Sequence, residues 1–149
     1  MKSRTIRRAA VFAVTALAFA GQGLWAAAPT PLDNDDLEKA QLLERRALQL
    51  TNSVDDYDRA ADLYREAAKL REGTAQAADS YMMAGRLAYY DGKTRTAARD
   101  LARAGEIALE WGDVAFAARA FLDAAFVAHE RGDGGTALEL AQKADRLAH

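Results

Sequence analysis

Apolar and small residues recur at helical spacing along most of this chain. Ala117, Phe121, Ala124 and Ala128 stand at offsets 0, 4, 7 and 11, which place side chains on one stripe of an α-helix. The same offsets recur in four further stripes: Ala60-Tyr64-Ala67-Arg71, Ala77-Tyr81-Ala84-Ala88, Ala97-Leu101-Ala104-Ala108 and Ala137-Ala141-Ala144-Ala148. With one helix before them, the pattern predicts six helices near 35–51, 54–71, 74–91, 94–110, 113–131 and 134–148.

Turn residues separate these predicted helices at a regular interval. Gly92, Gly112 and Gly132 stand twenty residues apart, and Gly73 lies close to the same phase. Glycine can adopt the left-handed conformation that ends a helix. Candidate N-caps for the following helices are Thr74, Thr94, Asp113 and Asp133. Earlier in the chain, Ser53 is the candidate for the second helix and Asn34 or Asp35 for the first, where Asp35 and Glu38 have the spacing of a capping box. Such short connections predict antiparallel neighbours.

The small stripe residues indicate close helix contacts. Alanine allows helix axes to approach toward the lower end of the roughly 8–10 Å range, and it has the best helix propensity. One larger residue in most stripes would fill the neighbouring layer. An alanine-rich bundle is the alternative, although a bundle does not require a fixed twenty-residue period. We expect Ala97 and Ala117 to be buried.

The N-terminal residues have a different composition. The basic opening MKSRTIRR precedes an apolar run of 12 residues at 9–20, and small residues follow up to Ala28. This order is typical of a secretory signal peptide, and the run is shorter than the roughly 20 apolar residues of a membrane span. We expect residues 1–28 to form a signal peptide helix, cleaved at 26–28, with an uncleaved anchor as the alternative. Arg7 and Arg8 also suggest twin-arginine export, but their flanking residues favour general secretion. Residues 29–34, with two prolines, are predicted to be a linker.

Charge and composition narrow the function. The formal charge is −2, but four of the 20 basic residues precede residue 28, which leaves 16 basic against 22 acidic residues and about −6 for the remainder. The net negative charge after residue 28 argues against nucleic-acid binding, which requires a positively charged surface. The chain has no cysteine, and therefore no disulfide, thiolate metal site or cysteine nucleophile.

Two stretches resemble the tetratricopeptide repeat: RLAYYDGKTRTAARDLARAGEIA at 86–108 and DYDRAADLYREAAKL at 56–70. The family positions are occupied by Gly85, Gly92, Ala97, Leu101 and Ala104, then by Ala125, Gly132, Ala137, Ala141 and Ala144, and in part by Tyr57, Ala60, Tyr64 and Ala67. The period here is 37 and then 40 residues, whereas the family repeat is about 34, and the closing proline of the family is missing. The resemblance implies an all-α, right-handed α-solenoid of about three antiparallel helix hairpins over residues 35–149.

That resemblance also implies a function. Such solenoids bind peptides or proteins on a concave face built from the first helix of each hairpin, so we expect an exported, non-catalytic protein-binding module or scaffold in the periplasm or outside the cell. The residues expected to face a partner are Asp79, Met82, Arg86, Tyr89, Leu122, Phe126 and His129. Packing between hairpins is the alternative role for several of them. The alternative function is a self-associating structural repeat protein, because no polar helix follows the last one and uncapped solenoid ends associate.

Catalytic and metal motifs do not emerge from the sequence. The chain has two histidines, His129 and His149, without metal-ligand spacing. DNDD at 33–36 lacks the glycine and later glutamate of a calcium loop, and the acids at 55–58 suit a helix start. Gly-Asp-Gly-Gly at 132–135 lacks a phosphate-binding lysine and is predicted to be a turn. We therefore expect no enzyme activity and no cofactor.

Overall fold

The computed structural model describes residues 33–149 as six α-helices and no strand. The helices are α1 (Asn34–Leu50), α2 (Tyr57–Leu70), α3 (Gln76–Tyr90), α4 (Thr94–Glu110), α5 (Val114–Glu130) and α6 (Gly134–Ala148), with a short 3-10 turn at Val54–Asp56 before α2. The predicted signal peptide at 1–28 and residues 29–32 of the predicted linker lie outside the described residues, whereas Asp33 caps α1 and Asn34 begins it. None of the helices in the described part has the length and apolarity that would let it cross a membrane.

Each helix packs mainly against the helix before it and the helix after it. The contacts of α3, α4 and α5 with their neighbours are the most extensive, and α1 at one end and α6 at the other have one such neighbour each. Short turns between packed neighbours make each pair antiparallel, so α1–α2, α3–α4 and α5–α6 form three helix hairpins. The all-α prediction and its six helices are therefore confirmed for residues 33–149.

The alanine stripes form the contact surfaces between these helices. All four stripe residues of α4 and all four of α5 are buried, and Ala97 and Ala117 are fully so, as predicted. The stripe of α6 differs: Ala144 is buried, Ala137 and Ala141 are half-buried and Ala148 is exposed. Since α6 has no following helix within the described chain, one side of its stripe is left uncovered.

Glycine stands where two helices approach more closely than alanine would allow. A Cβ built on Gly85 of α3 would lie 2.7 Å from Cγ of Leu101 and 3.1 Å from its backbone nitrogen. Gly105 of α4 has the same relationship to Phe121 of α5. These contacts hold a large side chain of each helix against the bare backbone of the preceding one.

The turns repeat one hydrogen-bonding scheme. Gly92, Gly112 and Gly132 have φ near +80°, and the residue after each donates its backbone N–H to the last alanine of the preceding stripe, for example Asp113 N to Ala108 O at 2.9 Å. This Schellman arrangement satisfies carbonyls that the helix end leaves open. Asp113 and Asp133 then cap the next helix through the backbone N–H of Phe116 and Thr136, as the sequence predicts.

The remaining cap assignments were wrong. Asp33, rather than Asn34 or Asp35, caps α1 by accepting from the backbone N–H of Asp35. Thr74 donates its hydroxyl backward to the carbonyl of Arg71, and α3 begins two residues later than predicted without a side-chain cap. Thr94 is the first residue of α4, after an uncapped start at Lys93, and Ser53 makes no capping bond. Threonine and serine caps compete with such local backward bonds, which spacing alone does not reveal.

Candidate partner-binding face

A row of four aromatic rings crosses the surface from α2 to α5. Tyr57 at the start of α2 lies 6.2 Å from the ring of Tyr90 at the end of α3, Tyr90 lies 5.6 Å from Tyr89, and Tyr89 meets Phe126 of α5 edge-on at 6.1 Å. Tyr90 is 66% exposed and Phe126 is 54% exposed. We call these four residues the aromatic row. Tilted and edge-on rings at such distances stabilise one another, so the row holds its shape while part of its surface stays open.

Two polar contacts connect α3 to α5 beside the row. Arg86 Nη2 lies 3.0 Å from Asp123 Oδ2, and the Tyr89 hydroxyl donates to Glu130 Oε2 at 2.6 Å. That hydrogen bond raises the pKa of Tyr89, because the carboxylate stabilises the protonated phenol. Both contacts fix side chains of different hairpins relative to one another.

A hollow of about 180 Å³ lies between α3 and α5. We call it the aromatic hollow; its lining residues are Arg86, Tyr89, Tyr90, Leu101, Asp123, Phe126 and Val127. Leu101 of α4 lies at its floor and is 1% exposed. The walls are aromatic and the Arg86–Asp123 pair lies along them, which is a composition suited to a large apolar side chain with a polar neighbour.

A second hollow of about 560 Å³ lies one hairpin earlier, between α1 and α3. We call it the polar hollow; its lining residues are Gln41, Glu44, Arg45, Leu48, Tyr64, Arg71, Asp79, Ser80 and Met83. Tyr64 and Leu101 occupy the same place in their stripes, so the two hollows are repeats of one position in the architecture. Both open between the first helices of adjacent hairpins.

Buried polar groups form one wall of the polar hollow. Glu44 Oε1 accepts from Arg71 Nη1 and from the Ser80 hydroxyl, each at 2.6 Å. Arg71 is 8% exposed and Ser80 is 1% exposed, while the buried Nε of Arg71 has no hydrogen-bond partner. Burial first, and the Glu44 carboxylate second, raise the pKa of Asp79 at the rim. The hollow therefore balances two carboxylates, Glu44 and Asp79, against two arginines, Arg45 and Arg71, and the Arg71 guanidinium keeps one buried N–H group without a partner.

One stripe of α3 borders both hollows. Asp79 and Met83 line the polar hollow, and Arg86 and Tyr90 line the aromatic hollow, at offsets 0, 4, 7 and 11 on a single helix face. The two hollows are thus neighbouring parts of one surface, and a ligand lying along α3 would reach both.

Three of the predicted partner-binding residues converge in the structure. Arg86, Tyr89 and Phe126 line the aromatic hollow together, and Asp79 belongs to the polar hollow. Met82 is 5% exposed and packs in the core with Ala120 and Ala124 of α5.

The last two predicted residues lie elsewhere on α5. Leu122 is exposed but lines a groove toward α6, and His129 is exposed outside both hollows. The residues that follow Met82 and Leu122 line the hollows: Met83 lines the polar hollow and Asp123 lines the aromatic hollow.

Sequence reasoning missed Tyr90, Asp123 and the polar hollow. A signal for the hollow was present, because Arg71 stands at the last stripe position of α2, where alanine is usual, and Glu44 stands between Ala40 and Ala47 at stripe spacing in α1. Opposite charges at two stripe positions of one hairpin indicate a buried ion pair. Asp123 and Tyr90 carry no such signal, since a carboxylate and a tyrosine on an exposed helix face are common.

Residues 33–149 contain no group of three His, Asp or Glu side chains placed to hold a metal ion. Comparison of the chain with protein-family models, with curated proteins and with solved structures found no match. The two hollows and the aromatic row are the surface features of these residues that bear on function.

Proposed function

We propose that this protein is an exported, non-catalytic binding module that holds a peptide or protein segment on the face formed by α1, α3 and α5. The observation that carries the proposal is the aromatic row beside the aromatic hollow, with Tyr90 and Phe126 more than half exposed. Aromatic rings that are exposed in a fixed arrangement are unfavourable in water. In an interface the same rings contribute a large part of the binding free energy.

The aromatic hollow favours one kind of occupant. Its floor is the buried Leu101, and its walls include the exposed ring of Phe126. A large apolar side chain of the partner would cover both while its backbone follows α3. The Arg86–Asp123 pair at the wall is already neutralised internally, so we expect the anchoring side chain to be uncharged.

The polar hollow would take a different part of the same partner. Glu44 and Asp79 contribute carboxylates, and Arg45 and Leu48 of α1 complete that part of the lining. Burial is the main cause of the raised pKa of Asp79, and the charge of Glu44 is the second. A cationic group of the partner placed beside these two carboxylates would offset that second effect. A segment with an apolar anchor and a basic residue nearby fits this face in its chemistry.

The wider assignment rests on sequence. A tetratricopeptide-like, right-handed solenoid is supported by the alanine and glycine positions and by the packing of consecutive helices in hairpins. Export to the periplasm or the cell exterior is supported by the basic and apolar residues at 1–20. A non-catalytic role is consistent with His129 and His149, which are both exposed and lie outside both hollows.

The test is a selection of binding peptides followed by titration. Peptides selected from a displayed random library on the purified chain would be titrated calorimetrically against the parent protein and against Phe126→Ala, Arg86→Ala and Leu138→Ala. We expect the first two substitutions each to weaken binding by more than about 1 kcal/mol. Leu138 is similarly exposed, at 61%, but lies on α6, so its substitution should leave affinity unchanged.

Far-ultraviolet circular dichroism completes the test. Helix content should be the same in all four proteins, because Phe126 and Leu138 are exposed and Arg86 is partly so. Selected peptides that bind Phe126→Ala and Arg86→Ala as tightly as the parent protein would place the binding face elsewhere and overturn the proposal. Loss of helicity in Phe126→Ala or Arg86→Ala would instead assign that residue to the core.

A further inference from the structure

The aromatic row leads away from the aromatic hollow toward α2. Tyr89, Tyr90 and Phe126 line the hollow, and Tyr57 at the start of α2 comes next along the row after Tyr90. Neighbouring ring centroids are 6.2, 5.6 and 6.1 Å apart, and Tyr90 is the most exposed of the four side chains. A partner segment that fills the hollow therefore continues over a strip of rings.

The tyrosines of the row carry hydrogen-bond donors. Of their three hydroxyls, only that of Tyr89 is hydrogen-bonded within residues 33–149, to Glu130. The Tyr57 and Tyr90 hydroxyls are therefore free to donate to a partner that brings acceptors. An α-helix laid over the row would not provide them along its length, because its backbone carbonyls accept within the helix.

An ordinary extended segment brings free carbonyls but also free backbone N–H groups. Such a segment satisfies those groups by joining the edge of a sheet, and residues 33–149 contain no strand to offer one. Proline has no backbone N–H, and a polyproline II helix has no internal hydrogen bonds, so its carbonyls stay available. A proline-rich segment would thus bring acceptors for the tyrosine hydroxyls without adding donors that need a partner.

The dimensions and the charges of the row agree with a segment of this kind. The centroid separations put alternate rings no more than about 12 Å apart, and one turn of a polyproline II helix rises about 9 Å. The charged side chains beside the row are paired with one another, Arg86 with Asp123 and Lys93 with Asp58 and Asp91. An uncharged partner segment therefore leaves these pairs intact.

We propose that the aromatic row binds a proline-rich segment in the polyproline II conformation, and that the hydroxyls of Tyr57 and Tyr90 donate to its backbone carbonyls. The inference rests on the proposed function, since this segment continues the partner chain held in the aromatic hollow. It adds the chemical class of that chain, which is uncharged and poor in backbone N–H groups. A segment that is extended before it binds also loses little conformational entropy on binding.

The experiment is a calorimetric titration with a peptide of ten prolines, acetylated and amidated so that it carries no charge. The parent protein would be compared with Tyr90→Phe, Phe126→Ala and Tyr81→Phe. Tyr90→Phe keeps the ring and removes the hydroxyl, and Tyr81→Phe makes the same change away from the row, beside Arg103 of α4. We expect the dissociation constant to rise about threefold to tenfold in Tyr90→Phe and by at least about fivefold in Phe126→Ala. Tyr81→Phe should leave it unchanged.

A second peptide of the same length, alternating glycine and serine, tests the conformation. It is uncharged and has free carbonyls but is flexible, so we expect it to bind at least about tenfold more weakly than the proline peptide. Equal binding of the two peptides would overturn the proposal. The same holds if the parent protein does not bind the proline peptide, or if Tyr90→Phe binds it as tightly as the parent does.

The same measurements separate this inference from the proposed function. Library-selected peptides that depend on Phe126 but lack proline, and that the proline peptide does not displace, would overturn the inference and leave the proposed function standing. Binding of an oligosaccharide such as cellohexaose that depends on Phe126, without binding of the proline peptide, would also overturn the inference. If no peptide of any kind depends on Phe126, both are wrong.

Discussion

The ring of Phe121 occupies the space that a side chain at Gly105 would need. A Cβ on Gly105 would lie 2.8 Å from Cε1 and 2.9 Å from Cζ of that ring, and Phe121 is 0% exposed, so the ring could move aside only by displacing its neighbours in the core. We expect Gly105→Ala to lower the free energy of unfolding. Overpacking costs about 1–3 kcal/mol, which exceeds the roughly 1 kcal/mol that alanine gains in helix propensity.

Gly135→Ala is the control for this prediction. Gly135 is also helical, and its added Cβ would meet only the Asp133 carboxylate, at 4.0 Å. Urea denaturation should show that variant to be as stable as the parent or more so. If Gly105→Ala and Gly135→Ala shift the midpoint equally, the contact with Phe121 does not limit packing.

Ala117 and Ala137 occupy the same stripe position in successive helices but differ in burial. Ala117 is 0% exposed, and Ala137 is half-buried on the uncovered stripe of α6. Ala117→Leu should destabilise the protein by about 1–3 kcal/mol, whereas Ala137→Leu should cost much less. Thermal melts of the two variants would check this, and equal melting temperatures would show that the stripe is not an interface at α5.

The Asp79 carboxyl gives a pH-dependent prediction. Partial burial, and then the charge of Glu44, raise its pKa in the folded protein, with Arg71 opposing. The folded protein therefore holds this proton more tightly than the unfolded chain, and stability is lost as the pH rises from the unfolded pKa through the folded one. We expect Asp79→Asn to be more stable than the parent at pH 7, with no difference below about pH 3, where both forms are neutral.

Asp36→Asn separates the effect of the polar hollow from that of the helix dipole. Asp36 and Asp79 are both exposed and both lie in the first turn of a helix, where a negative charge is favourable, but only Asp79 lines the polar hollow beside Glu44. Substitution of Asp36 should slightly reduce stability at pH 7. Denaturation midpoints from pH 3 to pH 8 would reveal the contrast, and the same response from both variants would contradict the role of the polar hollow.

Export is checked by the mass of the protein in the cell. The basic opening and the apolar run at 9–20 predict cleavage after residue 26, 27 or 28. Mass spectrometry of the protein recovered from the envelope should show a new N-terminus between Ala27 and Pro29. Intact Met1 in a membrane pellet would support an anchor instead.

The helices were predictable because their determinants are local and repeated. A stripe such as Ala97, Leu101, Ala104 and Ala108 carries its own periodicity, and a glycine with positive φ follows it at Gly112. At these positions the helix propensity of alanine and the tertiary packing both favour a helix, so either one alone would predict it. Helix starts were less predictable, since Thr74 can bond backward as readily as forward.

The lining of the two hollows was only partly predictable because it depends on rotation between helices. Helical spacing grouped Arg86, Tyr89 and Phe126, which line one hollow, whereas Met83 and not Met82 lines the other, a difference of one residue around α3. A stripe of apolar residues does not show which edge the next helix will cover. The Arg86–Asp123 contact, which joins residues 37 positions apart, depends on that packing and not on any local pattern.

Packing that lies mainly between helices adjacent in sequence has a consequence for how the molecule folds and unfolds. Contacts of low sequence separation allow rapid folding, and any adjacent pair of helices can serve as the starting point, with growth toward both termini. Opening should proceed in the reverse direction, from α1 and α6 inward. Amide protons in α3, α4 and α5 would then exchange with solvent most slowly, so the residues of the aromatic hollow lie in the part of the chain that stays folded longest.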